Sequence, residues 1–155
     1  MRRRLPLAIA ALLLLAASAQ AQLRPSAGAP AGVAYWDRAV GVLVGAAGEL
    51  PIDRELALGV TLDLSTASSA PVEWTTTLRY RFRPAGEGWE PYAAGGIGLL
   101  FTGGGPYFGL KLGGGATVPV APDLRAGVDV TAGPTFARST AFSLSAAAVL
   151  LYVLP

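Results

Sequence analysis

Nine charged residues lie within apolar segments of this 155-residue chain and are the first candidates for chemistry: Glu49, Asp63, Glu73, Arg79, Arg81, Arg83, Lys111, Arg125 and Asp129. Such a group could act as acid and base, line a pore, or neutralise itself. The chain has no histidine, which removes the commonest general base and metal ligand, and no cysteine, which removes thiolate ligands and disulfides. Ser143 and Ser145 could be nucleophiles only beside an activating base, and no imidazole exists to serve. The near balance of acids and bases favours ion pairing, because charges withdrawn from water must be matched. Two glycine clusters, GGIG (95–98) and GGGP (103–106), have the composition of a phosphate cradle. A phosphate loop needs a helix start directly after its glycines, and none is predicted here. They read instead as strand glycines facing a crowded interior and as a hairpin turn. The expectation is no enzyme, with no catalytic, cofactor-binding or metal site.

The elements that position these charges have a two-residue period. In VEWTTTLRYRFR (72–83), Val72, Trp74, Thr76, Leu78, Tyr80 and Phe82 point one way, while Glu73, Thr75, Thr77, Arg79, Arg81 and Arg83 point the other. LALGVTLDL (56–64) sets leucines and Val60 against Ala57, Gly59, Thr61 and Asp63. LRAGVDVTAG (124–133), FGLKLGGGATV (108–118) and FSLSAAAVLLYVL (142–154) repeat the design. All nine charges fall on the face opposite their strand's apolar set. Turn clusters at 37–38, 51–55, 66–71, 84–90, 102–106, 121–123 and 134–139 separate eight segments of about ten residues, a spacing that signals an all-β sandwich or barrel.

The N-terminus has a different origin. Arg2, Arg3 and Arg4 precede the apolar run LPLAIAALLLLAA and the small-residue exit Ser18-Ala19-Gln20-Ala21, the pattern of a secretory signal peptide. Residues 1–21 are therefore expected to be cleaved after Ala21, with 22–30 a flexible lead-in and 31–155 one β-domain. Without residues 1–21 the chain keeps nine basic and ten acidic groups, so no basic patch for nucleic acid survives. The composition is 52% hydrophobic and only 14% charged, against about 25% charged in ordinary soluble domains. No later run is long enough for a spanning helix, so an exported chain this apolar fits a transmembrane barrel.

Segregated faces permit two opposite proteins. In an exported soluble barrel or sandwich the apolar face is the core and would bind a small apolar ligand. In a membrane barrel it meets lipid. The second face is mostly Gly, Ala, Thr and Ser, too poorly charged for a soluble surface but suited to a narrow eight-stranded interior. The aromatics gather near strand ends: Tyr35, Trp36, Trp74, Phe101, Tyr107, Phe108, Phe136 and Phe142 at one end, and Tyr80, Phe82, Trp89, Tyr92 and Tyr152 at the other. Two belts around an aliphatic band suit two membrane interfaces. Trp36, Trp74, Tyr80, Phe82, Phe108, Phe142 and Tyr152 are the expected interface aromatics. Glu49, Asp63, Glu73, Arg79, Arg81, Lys111, Arg125 and Asp129 are the expected lumenal ion-pair network.

The segments EPYAAGGIGLLF (90–101) and TVPVAPDLRAGVDV (117–130) resemble the small outer-membrane β-barrel proteins, the OmpA-type transmembrane domain and OmpX among them. The first is similar to that group's Pro-Tyr-small-Gly strand opening, the second to a tight periplasmic turn. The resemblance implies an eight-stranded antiparallel up-and-down transmembrane β-barrel in the outer membrane. Turns 51–55, 84–90 and 121–123 would be periplasmic, and both termini would share that side. It implies outer-membrane lipid and the outer-membrane assembly machinery as partners, and a monomer. The chain ends Leu-Tyr-Val-Leu-Pro where such proteins end in an aromatic, with Tyr152 the nearest substitute. The functional expectation is a largely filled lumen with a structural role in the envelope, or at most a very small porin-like pore.

Overall fold

The computed structural model describes residues 24–36, 38–67, 71–82, 88–136 and 140–155. The segment read as a signal peptide, and Arg83, lie outside them. Eight strands follow in order: β1 (Ser26–Trp36), β2 (Ala39–Pro51), β3 (Leu56–Ser65), β4 (Val72–Arg81), β5 (Glu90–Thr102), β6 (Gly105–Ala121), β7 (Leu124–Phe136) and β8 (Thr140–Val153). Each pairs antiparallel with its sequence neighbours, and β1 pairs with β8 to close the barrel.

Local chemistry sets the turns. Between β2 and β3, the Asp53 carboxylate accepts hydrogen bonds from the backbone N–H of Glu55 (2.7 Å) and Leu56 (2.6 Å), the Asx geometry that favours Asp in turns. Between β5 and β6, Thr102 pairs with Gly105 across a two-residue loop, and Gly105 has φ 117°, a conformation costly for any side chain. Pro122 and Asp123 form an equally tight link between Ala121 and Leu124.

The closing strand corrects the expected boundaries. β1 begins at Ser26, so residues 26–30 belong to the barrel and not to a lead-in, and the domain does not start at 31. It pairs with β8 from Ser26–Val153 to Trp36–Ser143 without a break. Toward β2 the ladder is interrupted between the Gly28–Ala47 and Ala31–Val44 pairs, where Pro30 has no N–H to donate. Glycine, alanine and proline in SAGAPAG imitate a linker in composition, but backbone pairing on both sides needs no large side chains.

Orientation follows from the pleat. On β6, Lys111 is 2% exposed while its neighbours Leu110 and Leu112 are 47% and 72% exposed. On β4, Arg79 is buried between exposed Leu78 and Tyr80. Charges point into the cylinder and aliphatics point out, which overturns the soluble alternative with an apolar core. Outward Trp74, Phe101, Phe108, Phe136 and Phe142 ring the end bearing the β1–β2, β3–β4, β5–β6 and β7–β8 connections; Tyr80, Phe82, Trp89 and Tyr152 ring the end bearing both termini. Phe142 and Tyr152 are ten residues apart on β8, about 33 Å along a strand. Tilted by ~40°, that projects to roughly 25 Å, the height of the apolar band of a membrane barrel. The Trp74 indole donates to the outward-facing Thr76 hydroxyl at 3.0 Å, so the indole N–H is satisfied without water.

Three of the expected belt aromatics turn inward. Trp36 is 9% exposed and packs against Ala67 and Leu100, so it is not an interface aromatic. Its register partner is lumen-facing Ser143, and parity along β1 therefore sends the indole into the barrel. Tyr92 is buried, and Tyr107 packs against the Trp36 cluster.

Candidate functional site

The lumen holds the chain's concentrated chemistry, arranged as layers along the barrel axis. Arg79 enters from β4 and reaches across the interior. One guanidinium nitrogen lies 3.3 Å from Glu49 on β2, another 3.2 Å from Asp129 on β7, and its carbon stands 5.1 Å from the centre of the Tyr92 ring on β5. Tyr92 donates its hydroxyl to Asp129 at 2.6 Å. Glu49 is shared, since Arg81 pairs with its second oxygen. Glycine makes room for the crossing side chain: a Cβ on Gly59 would lie 2.5 Å from Arg79 Nε.

Toward the termini, Arg125 pairs with Glu90 and donates to Thr117 at 2.9 Å. Arg24, outside the strands, pairs with Asp123 at 2.9 Å. Arg24, Thr117 and Arg125 border an open mouth of about 230 Å³. Toward the opposite end, Lys111 pairs with Glu73 and donates to Ser143 Oγ at 2.7 Å, and Ser143 donates to the Gly133 carbonyl at 3.1 Å. Asp63 faces the same region, directly opposite Glu73 in the β3–β4 register. It has no ion pair among the described residues, and its Oδ1 is buried without a hydrogen-bond partner.

The structure thus brings Glu49, Arg79, Arg81 and Asp129 into one connected group and Glu73 with Lys111 into a second. Arg125 pairs instead with Glu90, and Asp63 has no ion pair among the described residues. Glu90 and Tyr92 were missed by sequence reasoning, Glu90 as part of a turn and Tyr92 as a belt aromatic. The signal was present: Glu90, Tyr92 and Ala94 share one phase of β5, opposite Ile97, Leu99 and Phe101.

Lys111 beside Ser143 is a nucleophile–base pairing that the absence of histidine had seemed to close off. Its geometry opposes catalysis. The ammonium is held by Glu73 and donates to the serine, and the serine proton is committed to a carbonyl. The adjoining cavity of about 20 Å³ has room for one water, for which about 10–15 Å³ suffices, and none for a substrate. Among the described residues no group of three His, Cys, Asp or Glu side chains could hold a metal ion.

No family model and no curated relative matches the sequence. Solved structures do match. Neisserial surface protein A superposes with a TM-score of 0.64 at 15% identity, over 85% of this chain and 97% of that one. The N-terminal β-barrel domain of Pseudomonas aeruginosa OprF gives 0.64 at 12% identity, over 84% and 100%. Both are small eight-stranded outer-membrane barrels, and at these identities the likeness is one of fold.

Proposed function

We propose that this protein is an outer-membrane barrel that closes its own lumen, serving the cell envelope as a non-enzymatic, non-conducting structural element. The observation that carries the reading is Arg79, whose guanidinium touches groups from three other strands in the middle of the cylinder. An eight-stranded interior is just wide enough for side chains to fill, and here they are tied to one another. The outward aliphatic band between two aromatic rings supports lipid as the surrounding medium. Export through cleavage after Ala21, insertion by the outer-membrane assembly machinery and a monomeric state belong to the same proposal.

The test has three arms. Envelope fractions should release the protein only with detergent, unheated samples should migrate differently from heated ones on a denaturing gel, and its N-terminus should read from Gln22. Purified barrel in planar bilayers should be silent. Recovery from the soluble fraction without detergent refutes the membrane assignment, and reproducible channels refute the closed lumen.

A further inference from the structure

We infer that conduction is blocked by two seals in series, of opposite chemistry: an apolar plug built on Trp36 and the ionic layer built on Arg79. The inference rests on the proposed closed lumen and says what closes it. At the end away from the termini, Trp36, Ala67 and Leu100 are buried against one another, with Tyr107, Ala39 and Ala141 packed around them. These six side chains carry no charge. Beneath the plug lies the cavity of about 20 Å³, bordered by Trp36 and Leu100 on one side and by Asp63, Glu73 and Lys111 on the other. A second cavity of about 40 Å³ adjoins it, with Leu43, Asp63 and Ser145 lining both. These two adjoining cavities are the chamber between the seals.

That chamber ends at Arg79 and Asp129. The mouth beyond begins at Glu49 and Tyr92 and shares no lining residue with the chamber. The ion-paired layer that joins these four residues is therefore the chamber's floor, as the Trp36 cluster is its roof. Space large enough for water lies on both sides of the floor, but passage through the cylinder must cross both barriers. Among the described lumen-facing residues, Glu49, Asp63, Glu73, Glu90 and Asp129 outnumber Arg79, Arg81, Lys111 and Arg125 by one. Removing Arg79 widens that excess, so an opened pore should favour cations.

Barriers in series give a distinctive pattern. Wild type, Trp36→Ala, Arg79→Ala and the double variant would be refolded, checked for insertion by heat-dependent gel mobility, and recorded in planar bilayers under a potassium chloride gradient. Both single variants should stay silent, and the double variant should show channels whose reversal potential has the sign of cation selectivity. If a variant does not insert, Leu100→Ala replaces Trp36→Ala and Arg79→Thr replaces Arg79→Ala, the threonine copying the neighbouring Thr75 and Thr77. A single variant that conducts like the double overturns the series arrangement, as does an inserted double variant that remains silent. Channels in the wild type would instead sink the closed-lumen reading on which the inference rests.

Discussion

Arg79→Ala asks whether the lumenal charges stabilise the barrel by pairing or simply sit in water. The Arg79 side chain is 7% exposed, and those of Glu49 and Asp129 are 12% and 17% exposed. Deleting one member of a buried pair costs about 3–5 kcal/mol, because the partner keeps its charge and loses its compensation. The two partners here are not equally harmed. Glu49 keeps Arg81, whereas Asp129 keeps, among the described residues, the Tyr92 hydroxyl alone. One stranded carboxylate in place of two puts the expected loss near the lower end, about 3 kcal/mol. Adding Asp129→Asn removes the stranded charge. The double variant should recover most of the loss, with a coupling of about 2 kcal/mol between the sites. The assay is urea unfolding of protein refolded into detergent micelles, followed by tryptophan fluorescence and read as a midpoint shift at constant slope. A loss within about 1 kcal/mol, the range of exposed pairs, or no recovery on adding Asp129→Asn, would refute buried pairing.

Three further variants probe other parts of the same picture. Asp63→Asn relieves a like-charge opposition with Glu73 and should stabilise the barrel by up to about 1 kcal/mol in the same assay; a clear destabilisation would mean that Asp63 has a cationic partner. Leu112→Arg places a charge on the outward face near the middle of β6 and should cost about 2–4 kcal/mol in lipid vesicles, so a neutral outcome would contradict lipid contact there. Gly59→Val drives side-chain atoms against Arg79 Nε and Thr77 Oγ1 and should cost about 1–3 kcal/mol, partly suppressed when Arg79 is already alanine; equal cost in both backgrounds would place the strain away from Arg79.

Much of this fold was legible because a two-residue period leaves little freedom once one face is marked. In β3, β4 and β7 the charges mark that face, and both phase and orientation follow from the sequence. β1 has no such mark. Its glycines, alanines and Pro30 satisfy backbone pairing without announcing it, so its start and the direction of Trp36 were read from position along the chain and not from parity. Tyr92 and Tyr107 failed in the same way: nearness to a strand end suggested a membrane interface, whereas the pleat sends both inward. The pairing pattern was beyond reach for a different reason. Arg79 meets residues 30 and 50 positions away, and which carboxylates it finds depends on the stagger of strands that are not its neighbours.

The charges matter most for the alternatives they forbid. A buried ion pair gains little net stability, since desolvation offsets most of the attraction. A one-residue slip of β4 against its neighbours, however, would carry Glu73, Arg79 and Arg81 to the lipid face and bring Leu78 and Tyr80 into the lumen. Each arginine at membrane depth then costs about 2–4 kcal/mol, less near the interfaces, and the slipped register also loses its ion pairs. On a scaffold whose inner face is largely glycine, alanine, serine and threonine, packing alone discriminates weakly between registers. Asp63 fits this view even with no ion pair among the described residues. Its carboxylate opposes Glu73 unfavourably in the native register, yet a slip of β3 would set it in hydrocarbon, so it contributes to selecting the register while adding nothing to the pairing that the register permits.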